Sequence, residues 1–226
     1  LDLLKKMQAN LTSTIAAVMA LSLWLSLAPS NLWSMQIPNL EAQAKARCGP
    51  LAVQTILSWE TMIAKNANAD VRTKLHVVND FFNQNIDYQW ETEDDWATPL
   101  ETFCRGAGDC EDYAIAKYAT LTLLGVPPSS LRLVYVKAKR GGLNQAHMVL
   151  AWYETPSAVP QIIDNLDYMI KPATERGDLQ PVFSFNGEQL WVGTGAKATN
   201  QQPTARLTRW GQVVEKIRRE GFTEGF

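Results

Sequence analysis

The sequence predicts an α+β fold, with helices first and an antiparallel sheet after them. Three observations carry this. Apolar residues recur at helical spacing between Glu41 and Leu123. At Gly125-Val126-Pro127-Pro128, a glycine-then-proline helix stop, the pattern switches to β-branched alternation. The alternating runs that follow are joined by short turns, so they read as a meander. The composition agrees: 226 residues, 46% hydrophobic and 19% charged, exclude a disordered, collagen-like or low-complexity chain and suffice for a real core. There is no internal repeat. A net charge of -2 gives no reason to expect nucleic acid as a partner.

Taken in order, residues 1–40 come first. Lys5 and Lys6 precede a stretch without charge that lasts to Glu41. Its centre, Leu11 to Ala28, is followed by small residues, which is the pattern of a secretory signal peptide. The run is also close to the ~20 residues that span a bilayer, so an uncleaved N-terminal membrane anchor is the alternative. A core helix would show a polar face, and this run lacks a charged one. The flanking lysines keep that end inside and send residues 41–226 outward. The expected location is the periplasm, with inner-membrane attachment through residues 11–28 if the segment is retained.

Glu41 to Lys65 reads as one helix with Leu51, Ile56, Trp59 and Ile63 as its stripe. Asp70 is the expected N-cap of a second helix, Val71 to Ile86, which buries Leu75, Val78, Phe82 and Ile86 and carries His76 as a surface or packing residue. Asp87 to Pro99 reads as an irregular loop in which Trp90 and Trp96 serve as packing anchors. A third helix begins at Asp109 or Cys110 and runs to Leu123. Strands follow at Leu131 to Ala138, His147 to Tyr153 and Gln161 to Leu166, with turns at Arg140-Gly141-Gly142 and Thr155-Pro156-Ser157. Ala196 to Pro203 reads as a linker. Thr204 to Phe222 is basic and amphipathic, with Leu207, Trp210, Val214 and Ile217 opposed to Arg206, Arg209, Lys216, Arg218 and Arg219. It reads as a helix docked on the core with a solvated basic face; contact with a membrane surface is the alternative.

Three residues form a chemical constellation. Cys110 follows Gly-Ala-Gly-Asp and sits in the first turn of a helix, where unpaired backbone N–H groups and the helix dipole favour a thiolate. By itself this is weak, because free cysteines are usually packing residues. A tight hairpin centred on Thr155-Pro156 places His147 directly opposite Asp164, within carboxylate–imidazole reach. A slip of one residue would send Asp164 to the other face. Cysteine, histidine and aspartate then act as nucleophile, base and orienter, with oxyanion support from the Cys110 N–H and a second donor, Asn144 and Gln145 being candidates by proximity. The competing reading is a satisfied core histidine and an Asp-Asn turn end.

Asp109, Glu111 and Asp112 flank the nucleophile, and three carboxylates would oppose a thiolate. Either Asp109 and Asp112 cap the helix as N-cap and N3, or Ca²⁺ held by these oxygens neutralises them. The chain lacks an EF-hand loop.

The stretch GAGDCEDYAIAKY (106–118), with NQAHMVL (144–150), IDNL (163–166) and PVFSF (181–185), resembles the bacterial transglutaminase-like cysteine proteinases. The likeness covers roughly Glu41 to Phe226. It implies a papain-like, transglutaminase-like fold, with a helical lobe carrying the nucleophilic cysteine packed on a sheet carrying the histidine and aspartate. It implies that Cys110 attacks a peptide carbonyl, His147 is base and then acid, and Asp164 orients His147. It further implies a Ca²⁺ cofactor on Asp109 and Glu111, with Asp112 as a further ligand. The implied substrate is the N-terminal region of a large RTX-type adhesin, cut at a di-alanine site, with release of the adhesin and dispersal of the biofilm. The implied inhibitory partner is an inner-membrane cyclic-di-GMP receptor. Another acyl transfer on the same scaffold, by a transglutaminase or amidase, and a non-catalytic peptide-binding module remain open. Cys48 and Cys104 are additional cysteines that either pair or stay reduced and buried.

Overall fold

A computed structural model describes residues 38–90, 95–193, 197–223 and 225–226, all within one compact unit. The expected signal or anchor lies outside the described residues. Among those described, no helix is long and apolar enough to cross a membrane.

The first expected helix is two. Helix α1 spans Leu40–Arg47, with the Asn39 side chain capping Ala42 N. Helix α2 spans Pro50–Asn66. Pro50 forces the break, because it lacks an N–H and its ring is tolerated only at the start of a helix. Ala52, Ile56, Trp59 and Ile63 are buried, whereas Leu51, expected in the stripe, is 72% exposed. Helix α3, Val71–Asn85, begins as expected at Asp70, whose carboxylate accepts from Thr73 N. It buries Leu75, Val78 and Phe82 and leaves His76 on the surface.

The Asp87 to Pro99 segment is more ordered than an irregular loop. Asp87–Tyr88 forms strand β1, which pairs in parallel with β2, Ala107–Gly108. Trp96 is a packing anchor and stacks on Phe185 at 5.8 Å. Trp90 is not, since it is 60% exposed. A short helix α4, Pro99–Arg105, went unforeseen despite a full sequence signature: Thr98 and Glu101 make a reciprocal capping box around Pro99 at the first position. Cys104 on α4 is disulfide-bonded to Cys48, between α1 and α2.

Helix α5, Cys110–Leu123, is the centre of the molecule, and every residue but Glu111 is buried. It packs on α3, α4 and the sheet. The sheet has strands β3 (Leu131–Arg140), β4 (Leu143–Trp152), β5 (Gln161–Ile163), β6 (Lys171–Pro172), β7 (Leu179–Phe185) and β8 (Leu190–Val192). Their order is β6-β5-β4-β3-β7-β8, and every pair is antiparallel. The β3–β4 turn uses Gly141 and Gly142, both at positive φ where a side chain would be strained. Strand β7 was not read from the sequence. Pro181 interrupts its alternation and sits at a register shift opposite Val136, one of the few places a sheet accepts proline.

The tail closes the core. Helices α6 (Pro203–Arg206) and α7 (Thr208–Glu220) follow the linker. Trp210, Val213, Val214 and Ile217 are buried, and Trp210 meets Tyr118 and Phe185. Arg206, Arg209, Arg218 and Arg219 face solvent, which is the docked-helix arrangement.

Candidate active site

Cys110 is the first residue of α5. Asp109 is its N-cap, accepting from Glu111 N, and Asp112 completes a capping box by accepting from Asp109 N at 3.3 Å. Gly108 is required here: a Cβ on it would lie 2.8 Å from both the Cβ and Oδ2 of Asp112. The turn therefore closes against the cap only if that side chain is missing.

The Cys110 thiol is buried and donates to Glu111 Oε2 at 2.7 Å. Burial pushes its pKa up, and the Glu111 and Asp109 carboxylates add to that. The backbone N–H of Met148 hydrogen-bonds the sulfur and works the other way. The helix mouth thus meets β4 one residue from His147. A hydrogen bond from sulfur to imidazole is not among those of the described residues.

His147 and Asp164 are brought together. His147 Nε2 is 2.8 Å from Asp164 Oδ1, and both residues are 2% exposed. The register that achieves this differs from the expected one. Leu150 faces Ile163, so the pairing is displaced by two residues, and Asp164 lies just beyond the end of β5. The cause is the connection: a loop over 153–160 replaces the tight turn at Thr155-Pro156. An even displacement keeps both residues on one face, and the contact becomes diagonal instead of directly opposed.

Asp164 has further partners. Oδ1 also accepts from Leu166 N at 3.1 Å, and Oδ2 accepts from Arg176 Nη2 at 2.9 Å. Its backbone carbonyl accepts from Lys117 Nζ at 3.1 Å and Asn83 Nδ2 at 3.0 Å. Burial alone would raise the carboxyl pKa; the bond and charge of His147, then Leu166 N and Arg176, outweigh it and hold it at about 2. Asp164 is thus an anion at neutral pH, and with Nε2 engaged, Nδ1 is the imidazole nitrogen left for a thiol.

Asp109, Cys110 and Glu111 present ligand atoms all within 4.8 Å of one another. Burial and the neighbouring Asp109 charge push Glu111 up to about 7. Two crowded carboxylates beside a thiol suit a hard cation: Ca²⁺ would take oxygens from Asp109 and Glu111 and relieve their repulsion, whereas sulfur is a poor ligand for it. Asp112 stands apart from that trio. Its Oδ1 accepts from Ala97 N at 2.7 Å and its Oδ2 caps the helix.

Sequence reasoning missed Arg176, Lys117, Asn79 and Asn83. Lys117 carried a signal, a charged residue inside the apolar run from Ala114 to Leu123 and seven positions after the cysteine. Arg176 carried none, because it sits in an irregular segment whose partners are set only by tertiary structure.

Comparison with known proteins agrees with this arrangement. The model of a family described as bacterial transglutaminase-like cysteine proteinase BTLCP matches residues 48–178. Legionella pneumophila LapG is 35% identical, with a TM-score of 0.70 over 79% of this chain and 96% of that one. Its EGTA-treated form gives a TM-score of 0.72 over 79% and 96%, and its calcium-bound form 0.71 over 79% and 97%, both at 35% identity. No curated protein matches the chain.

Proposed function

Since the chain belongs to the bacterial transglutaminase-like cysteine proteinase family, we propose that it is a calcium-dependent periplasmic cysteine endopeptidase. Its substrate is the N-terminal region of a large RTX-type surface adhesin, and cleavage releases the adhesin and disperses the biofilm. The observation that carries the catalytic part is the pairing of His147 with the Asp164 anion beside the helix mouth that holds Cys110.

The chemistry follows from those positions. Asp164 accepts from His147 Nε2, which leaves Nδ1 as a base. Nδ1 takes the Cys110 proton, and the thiolate attacks the scissile carbonyl. The Cys110 N–H, at a helix start where it has no intrahelical acceptor, supports the oxyanion. His147 then returns the proton to the leaving amine, and water, deprotonated by His147, hydrolyses the thioester. Asp109 and Glu111 are the residues that would hold calcium, and LapG has been solved in a calcium-bound form. A bound Ca²⁺ supplies positive charge that offsets both carboxylates and favours the thiolate.

The disulfide between Cys48 and Cys104 supports an oxidising compartment and so the exported reading. Attachment to the inner membrane through residues 11–28, and inhibition by an inner-membrane cyclic-di-GMP receptor, complete the proposal by family resemblance; no cyclic-di-GMP site is assigned to this chain. The test is incubation of the protein with an adhesin N-terminal fragment, with calcium, with and without an amine donor. Two products from wild type and none from Cys110→Ala support the proposal. Amine incorporation without chain cleavage would move the assignment to a transferase, and an intact fragment with wild type would leave a binding module.

A further inference from the structure

A buried lysine and a buried arginine converge on Asp164, and the catalytic triad uses neither. Lys117 is fully buried and donates from Nζ to Asn79 Oδ1 at 2.8 Å, Asn83 Oδ1 at 2.7 Å and the Asp164 carbonyl at 3.1 Å. That cluster grips the main chain of Asp164; on the carboxylate, Leu166 N at 3.1 Å reaches Oδ1 only and leaves Oδ2 without a main-chain partner among the described residues. The carboxylate is gripped from the opposite side. Arg176 is 5% exposed and donates from Nη2 to Asp164 Oδ2 at 2.9 Å. The guanidinium is itself fixed, with Nε on Asp178 Oδ1 at 2.9 Å and Nη2 on Asp178 Oδ2 at 2.8 Å. The clamp has a rigid base, because Asp178 O accepts from Lys139 N on β3 at 2.8 Å and Arg176 N donates to Ala173 O at 3.1 Å.

A stability role explains this poorly. Arg176 Nη1 is buried with no hydrogen-bond partner among the described residues, which is an unfavourable state for a charged donor. Buried ion pairs often stabilise a fold no better than apolar side chains of the same volume. Geometry explains it well. Asp164 follows a three-residue strand and reaches His147 diagonally, so β-pairing does not set its side-chain torsion. Of its two oxygens, the one turned away from His147 meets Arg176. A carboxylate held at both ends has one orientation, and His147 inherits it.

We propose that Arg176, braced by Asp178, is a positioning residue that fixes the Asp164 carboxylate and through it the tautomer of His147. This deepens the catalytic reading and rests on it. The guanidinium holds Oδ2 of Asp164, so without it the carboxylate is freer to turn and no longer imposes one tautomer on the imidazole.

The chain has two histidines, and the other, His76, is exposed on α3, so imidazole NMR of the calcium-loaded protein can follow His147 directly. In Arg176→Gln the His147 imidazole signals are expected to depart from the single tautomer of wild type, with kcat lower by about 10-fold or more and KM little changed. Arg176→Lys, which keeps the charge, should return both toward wild type. A folded Arg176→Gln with an unchanged His147 tautomer and unchanged kcat overturns the proposal, as does a lysine variant no better than glutamine. If Arg176→Gln fails to fold, Asp178→Asn decides: it loosens the guanidinium from a half-exposed partner and should lower kcat in the same direction, and wild-type kcat there overturns the proposal. The NMR readout does not need Cys110 to be the nucleophile. A Cys110→Ala protein that still cleaves would remove the catalytic reading and leave the positioning claim to be judged by His147 alone.

Discussion

Nε2 of His147 stands 2.8 Å from Oδ1 of Asp164, though the two residues are not opposed in the sheet. The last paired residues of β4 and β5 on that side are Leu150 and Ile163, and Asp164 reaches back across the end of the ladder. The contact is therefore a side-chain choice, enforced by what holds Asp164, and it selects which imidazole nitrogen is free.

Asp164→Asn tests that selection. The amide keeps the volume but removes the anion that fixes the tautomer. The expected loss in kcat is of the order of 10⁴-fold, as for removal of the charge in other histidine-based triads. Iodoacetamide labelling of Cys110 should slow in both Asp164→Asn and His147→Ala. Labelling at wild-type rates in either variant would separate the thiol from the pair.

Helices α3, α5 and α7, the Cys110 cap and the identity of the His147–Asp164 pair were legible because each rests on local pattern: Asp70 and Asp109 as caps, alternation in β3 and β4, one face shared by an even offset. What escaped depends on distance in sequence or on a single break in pattern. Pro50 split a helix inside one apolar run, and Pro181 hid β7. The exact β4–β5 pairing depends on a loop over 153–160 whose shape no dipeptide dictates. Arg176 and Lys117 reach Asp164 across 12 and 47 residues, and no spacing rule connects them.

Calcium should act on stability as well as on activity. A cation bound only by the folded chain adds about 2.7 kcal/mol at a free concentration 100 times its Kd. The melting temperature of wild type is expected to rise with added calcium and to fall back with EGTA, and cleavage should be lost with it. Asp109→Ala combined with Glu111→Ala should abolish the calcium-dependent shift, while Asp112→Asn should weaken the helix cap in both conditions. Full activity in strong chelator would remove the cation and leave the capping role alone.

The disulfide ties α4 to the junction of α1 and α2 across a separation of 56 residues. Cys48→Ser combined with Cys104→Ser is expected to lower the unfolding free energy by about 2–4 kcal/mol, read from the urea midpoint. Cys110 is the free cysteine. Thiol titration of the denatured, unreduced chain should then find one thiol, rising to three after reduction.

Lys117 should make stability rise in alkali. Burial lowers its pKa from 10.5 to about 7, against the opposing charges of Asp164 and Asp80. The folded value lies below the unfolded one, so its contribution is fully present above about 10.5 and is lost as pH falls through 7. Unfolding free energy should gain at most about 1.4 kcal/mol per pH unit from this group between those limits. Lys117→Met strands the Asn79 and Asn83 acceptors and is destabilising, and the difference from wild type should widen with pH from 7 to 10. A difference independent of pH would mean that the lysine keeps its proton in the fold.

Glu220 predicts the opposite slope on the acid side. It is 6% exposed where the end of α7 meets the start of α4; Oε1 accepts from Thr98 Oγ1, and Oε2 is buried with no partner among the described residues. Burial is the largest influence on its carboxyl and pushes it up to about 7, with Glu101 adding to the shift. The folded value is above the unfolded 4.5, so the stability it contributes is complete below 4.5 and disappears as pH climbs through 7. Glu220→Gln keeps the acceptor for Thr98 and cannot ionise. Urea midpoints for the two proteins should therefore agree near pH 4.5 and diverge upward, with the glutamine variant the more stable at pH 8. Parallel curves across that range would show that Glu220 ionises as freely in the fold as in the open chain, and that its buried oxygen finds water.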